Sequence, residues 1–200
     1  MALGLIMVAA TLANAQDLEE KRLESLLLLP EPRALRSELS VVPAGAVETV
    51  LSPAREIAAI PGIETYSKDE FKRLGLSVQT FTARAKTAAD KLLASLKPDL
   101  VRDAEGKMLY AVYRGERPVM ASLLLAPSLP KLFEKDFGKE IWVALPDRHS
   151  LFIFPAKPEA LQDFTADLAE RFWADVHAAS AEIFAIKSGE EPRVVGSFGG

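Results

Sequence analysis

Asp147, Arg148, His149 and Ser150 stand side by side between two apolar runs, Ile141 to Leu145 and Leu151 to Phe154, each with a proline at its end. Together they offer a carboxylate, a guanidinium, an imidazole and a hydroxyl, the groups that proton transfer, nucleophilic attack and anion binding require. Neighbours within one turn rarely converge on a single substrate atom, and catalytic triads draw their members from separate segments. No catalytic residue is therefore assigned from this turn alone. Asp147, Arg148, His149 and the distant Glu182 are the ligand-binding candidates. The planar fork of Arg148 suits a carboxylate or phosphate. If the segment carrying Glu182 packs beside the turn, the expected outcome is a structural Arg148–Glu182 ion pair. Asp147 is expected to act as a turn residue.

Those side chains need elements to hold them. Ile141 to Pro155 reads as a hairpin whose polar turn is 147–150. Met108 to Tyr113 and Val119 to Leu125 read as a second hairpin around Arg114 to Pro118. By strand parity Tyr110 and Tyr113 fall on opposite faces. Ser77 can cap a helix with Phe81, Ala85, Ala88, Leu92 and Leu96 in one stripe, stopped before Pro98. Leu129 to Phe137 predicts a short helix that Gly138 ends. Pro158 suits a first helical turn, and Leu161, Phe164, Leu168, Phe172 and Val176 continue as one stripe expected to pack on the sheet of Val143 and Ile153. Trp142 and Trp173 are expected at the core or its boundary, and His177 near a helix end. Glu182 to Ile186 adds a short element. Nearer the start, Leu18 to Leu29 predicts a helix ending at Pro30, followed by short strands at 39–42 and 47–51. The order of hairpins and helices gives an α+β fold, with helices packed on a mostly antiparallel sheet.

Composition narrows the function classes. The 200 residues are 49% hydrophobic, enough for a core without staples, and they carry a net charge of -4. An acidic balance argues against nucleic acid as partner. With no cysteine and only His149 and His177 as imidazoles, neither a metal site nor a cofactor is expected. The uncharged run Leu3 to Ala13, followed by Ala13-Asn14-Ala15, fits a signal peptide over 1–15 that is cleaved before Gln16. That run is too short for an ordinary membrane span. The expected organisation is one domain over 16–187, with a division into two small lobes, 31–75 and 76–187, as the alternative. The Gly- and charge-rich segment 188–200 is expected to be a mobile tail.

Several motifs recur in a family-like order: Leu74-Gly75-Leu76-Ser77 before the long helix, Ala121 to Pro127, Val143-Ala144-Leu145-Pro146-Asp147-Arg148, Leu151-Phe152, and Ala181-Glu182-Ile183-Phe184. In this order the chain resembles the YtpQ-like family of bacterial proteins (domain of unknown function 1444) over about its last two-thirds. The resemblance implies an α+β fold and no particular reaction. His149 stands where that family tends to carry an acidic residue, and the export-like start is not expected of a cytosolic member.

The expected function is a non-enzymatic binding or interaction module of the cell envelope, periplasmic or secreted. Its partner is a protein or peptide docking on a sheet edge or at the turn. The alternative is a hydrolase-like enzyme around Asp147 to Ser150 that recruits Ser122 or Glu182.

Overall fold

The computed structural model describes residues 26–57 and 62–198. The expected signal segment and the start of the expected helix from Leu18 lie outside them. Two antiparallel sheets and the helices packed on them make an α+β fold.

The first sheet joins β1 (Leu26–Pro32), β2 (Thr49–Glu56) and β3 (Ile63–Thr65) in that order. From Leu26 onward the structure replaces the expected helix with a strand. Leu26 to Leu29 are all buried, and an unbroken apolar run has no period to separate helix from strand. Pro30 and Pro32 are tolerated because β1 is an edge strand, where a missing N–H breaks no ladder. The expected strand at 39–42 shrinks to a single bridge between Val41 and Leu51.

Helix α1 (Lys68–Arg73) opens with a capping box between Ser67 and Glu70. The hydrogen bonds from Ser67 hold the Glu70 carboxyl below its ordinary range. Helix α2 (Val78–Ala94) starts at Ser77, whose hydroxyl accepts from the Thr80 N–H. Its buried stripe of Phe81, Ala85, Ala88, Ala89 and Leu93 packs towards β1.

The second sheet has the order β4-β5-β7-β6-β8-β9, from β4 (Asp99–Arg102), β5 (Met108–Arg114), β6 (Glu140–Ala144), β7 (Ser150–Pro155), β8 (Glu182–Lys187) and β9 (Arg193–Ser197). The expected strand at Val119 to Leu125 is instead a buried 3-10 turn, Met120–Leu125. Ser122 Oγ donates to the Val119 carbonyl at 2.6 Å, a local bond that competes with a strand ladder. β5 therefore pairs with β4 and β7. Helix α3 (Leu129–Phe137) follows, ended by Gly138 at φ 89°, a left-handed conformation that glycine adopts without a Cβ clash. In place of the tail expected from residue 188, β9 closes the far side of the sheet on β8.

The expected C-terminal helix is split into α4 (Pro158–Gln162) and α5 (Thr165–Ala174). It covers the second sheet on the face of Val112, Ala144, Phe152 and Phe154. Val143 and Ile153 belong to the opposite face, in a core shared with Leu26, Leu28, Phe81 and Leu123, so one buried cluster takes in residues from both sheets. Tyr110 meets Phe154 and Phe164, whereas Tyr113 meets Phe133, as strand parity requires. Burial pushes the Tyr113 hydroxyl up to about 12. Two expectations fail at the end of α5: Trp173 is 72% exposed and Val176 92% exposed. The helix stops at Ala174, before the apolar stripe is complete, and His177 lies beyond it, its N–H donating to Asp175 Oδ1 at 2.7 Å.

Leu168 is 2% exposed beneath this helix, so Leu168→Ala should cost about 2–5 kcal/mol in a denaturant titration. Neighbouring Trp173→Ala should cost far less.

Glu140 ties three strands together. Its Oε2 lies 3.0 Å from Lys187 Nζ and 3.2 Å from Arg193 Nη2, and its Oε1 accepts from Trp142 Nε1 at 3.3 Å. Burial opposes ionisation, but the bonds from Lys187 and Trp142 and the two nearby cations outweigh it, leaving the carboxyl below its usual range. A lowered folded value means stability present above the unfolded glutamate range and lost as pH falls through the folded value. Glu140→Gln should cost up to about 1 kcal/mol near neutrality for so exposed a network. In chemical denaturation across pH, the gap between the two proteins should close in acid.

Candidate functional site

The turn at 147–150 sits where β6 ends and β7 begins, and its polar groups are directed into the fold. Asp147, 4% exposed, accepts from the His149 N–H at 2.8 Å through Oδ1 and from Ser150 Oγ at 2.8 Å through Oδ2. This is the local bonding expected of a turn aspartate. Arg171 Nη1 stands 3.7 Å from Oδ2. Arg171 and Arg114 each place the guanidinium carbon 5.6 Å from the centre of the Phe152 ring, a distance at which a cation is attracted to the ring.

His149 Nδ1 lies 3.2 Å from the Gly115 carbonyl, so that nitrogen must carry the proton. The loop after β5 is fastened to the turn by backbone as well, with Gly115 N–H donating to the His149 carbonyl and Met120 N–H to the Arg148 carbonyl. Ser150 therefore donates to a carboxylate and the imidazole meets a carbonyl. The serine-to-imidazole relay a hydrolase would use is not formed in this arrangement. Ser122, the other hydroxyl considered, is spent on Val119.

Arg148 does make an ion pair, but with a different partner from the one expected. Its Nη2 donates to Glu31 Oε1 at 2.9 Å, with the two side chains 15% and 5% exposed. Glu31 lies on β1, 117 positions away and just past the residues expected to be helical. Arg148 Nε is buried without a hydrogen-bond partner among the described residues. Glu182 instead uses Oε1 to accept from the N–H groups of Val47 and Glu48, at 2.7 and 3.1 Å, and its Oε2 is buried with no partner among the described residues. Beside it, the hydroxyls of Thr49 and Ser180 lie 2.6 Å apart. Glu182 thus anchors the chain entering β2 to the second sheet. Of the four candidates, Asp147 and His149 meet within the turn, while Arg148 and Glu182 each hold a separate piece of the first sheet.

Neither edge of the second sheet offers a long open ladder. β4 is four residues long, follows Pro98, and has a bulge between Val101 and Arg102. Short length, proline and bulges are the devices by which proteins blunt strand edges. At the other edge, Val194 N–H donates to the Ala44 carbonyl at 2.8 Å.

A cleft of about 330 Å³ opens elsewhere, between the start of β5, the end of β7, the end of α3 and α4. Its floor is apolar, from Met108, Leu109, Phe137, Pro155 and Phe164. Lys107, Lys157, Asp136, Glu159 and Asp163 stand around it. No local motif marks these residues, which come from three separate stretches of chain. The one sequence signal available was the pair of lysines flanking strand ends. Two smaller clefts, of about 180 and 210 Å³, share Pro130, Lys187 and Glu190. In the first of them Lys86 is paired with Glu191, and Lys187 is held by Glu140.

Among the described residues, no three His, Asp or Glu side chains gather so as to hold a metal ion. No helix among them is long and apolar enough to cross a membrane. The class defined by fold and site is thus an α+β protein with a structural polar turn and a mixed-charge cleft. Comparison with known proteins gave no match to a family model, a curated protein or a solved structure.

Proposed function

We propose that this protein is a non-enzymatic binding module of the cell envelope, periplasmic or secreted, and that it binds its ligand in the cleft between β5, β7 and α4. The observation that carries the reading is the contrast between the two polar clusters. The turn at 147–150 spends its side chains on holding the fold, whereas the cleft combines an apolar floor with charged side chains at its rim. An apolar pocket of this size with a few polar groups around it is the usual form of a small-ligand site. The run Leu3 to Ala13 and the Ala13-Asn14-Ala15 sequence support export. Kinship with the YtpQ-like family belongs to the same proposal, supported by the order of the motifs from Leu74 to Phe184.

Two measurements test it. Intact-mass analysis of exported protein should give a mature chain starting at Gln16; a cytosolic species retaining Met1 would overturn the localisation. In nitrogen-15 amide spectra titrated with a set of small apolar compounds, shifts should cluster at Lys107–Tyr110 and Lys157–Phe164. Shifts confined to Asp147–Ser150 would overturn the site.

A further inference from the structure

The cleft opens beside two irregularities in the ladder. β5 and β7 pair only from Ala111 with Ile153 to Arg114 with Ser150. Continued one way, that register would bring Leu109 to Pro155, yet no pairing forms there and both residues line the cleft. On the other side of β5, Tyr110 pairs with Val101 and Met108 with Arg102, which leaves Leu109 as the extra residue of a bulge. Bulges re-aim a side chain and are common beside functional sites. Leu109, half-buried, belongs to the apolar floor because of it.

The rim carries two ammonium groups, Lys107 and Lys157, and three carboxylates, Asp136, Glu159 and Asp163. Among the described residues, none of these five side chains has a hydrogen-bond or ion-pair partner. Both signs of charge are therefore free around one small apolar floor. A ligand of a single charge would be attracted by one set and repelled by the other. A molecule with an apolar body and an ionised group of each sign at its ends satisfies both. The terminus of a long polypeptide brings only one such charge.

We infer that the cleft takes short apolar peptides with both termini free, the carboxylate meeting Lys107 or Lys157 and the ammonium meeting Asp136, Glu159 or Asp163. This rests on the reading of the cleft as the binding site and adds the ligand class. Charge-assisted contacts at both ends would make recognition depend on both termini.

The test is calorimetric titration of the full chain with leucyl-leucine, its N-acetyl form and its C-terminal amide. Leucyl-leucine should bind, and each blocked form should bind about tenfold more weakly or worse, the size expected for losing one charged hydrogen bond. Lys157→Glu should weaken leucyl-leucine by a similar factor at an unchanged melting temperature, since Lys157 has no partner among the described residues to lose. Equal binding of free and blocked dipeptides would overturn the inference. So would failure of leucyl-leucine to bind while uncharged apolar compounds still shift the cleft amides, a result that leaves the binding site itself standing. If no compound shifts those amides, the inference and the site fall together.

Discussion

Arg148→Ala should destabilise the protein by about 3–5 kcal/mol, because it leaves the Glu31 carboxylate buried without its cation. Glu31 is 5% exposed in its side chain and its Oε1 receives the Arg148 guanidinium at 2.9 Å. Had Arg148 been a solvated clamp for an anionic ligand, its removal would leave the melting temperature where it was. The pair is also a tether between sheets, since Glu31 sits on β1 and Arg148 at the mouth of β7. Arg148→Met with Glu31→Leu should recover much of the loss, because replacing a buried ion pair by apolar groups of similar size is often neutral or stabilising. Denaturant titration of the single and double variants measures both numbers. An unchanged midpoint in Arg148→Ala would mean that the turn faces solvent.

Phe81→Ala should cost a similar amount, about 3–5 kcal/mol for a large aromatic removed from a packed core. Phe81 is 0% exposed and forms a tight aromatic group with Tyr66 and Phe71, at centroid distances of 5.7 and 5.4 Å. It stands in the cluster that holds residues of both sheets. The variant should therefore unfold in one transition, shifted to lower denaturant for fluorescence and circular dichroism alike. Two separated transitions would show that the segments 31–75 and 76–187 fold as independent lobes.

Both predictions rest on contacts that the sequence reveals unevenly. Signals that act locally could be read directly: the Ser77 cap of α2, Gly138 closing α3, and the β6–β7 hairpin with its Asp147 turn. Leu26 to Leu29 and Val119 to Leu125 could not, because an apolar run buried on every side has no periodicity to betray its conformation. β9 was hidden for the opposite reason, since its glycine and the charged stretch before it resemble a tail while Phe198, just after it, is 4% exposed. Arg148 could be recognised as needing a carboxylate, but choosing Glu31 over Glu182 requires knowing that β1 exists. The cleft depends on a bulge at Leu109 and on strands that part, neither of which has a sequence signature.

One side-by-side titration decides where the ligand binds. Ala160, on the wall of the cleft, becomes tryptophan in one variant; His149, in the turn, becomes alanine in the other. Calorimetric titration with leucyl-leucine should show binding abolished in Ala160→Trp and unchanged in His149→Ala, with both variants folded by circular dichroism. Binding retained in Ala160→Trp and lost in His149→Ala would contradict binding in the cleft.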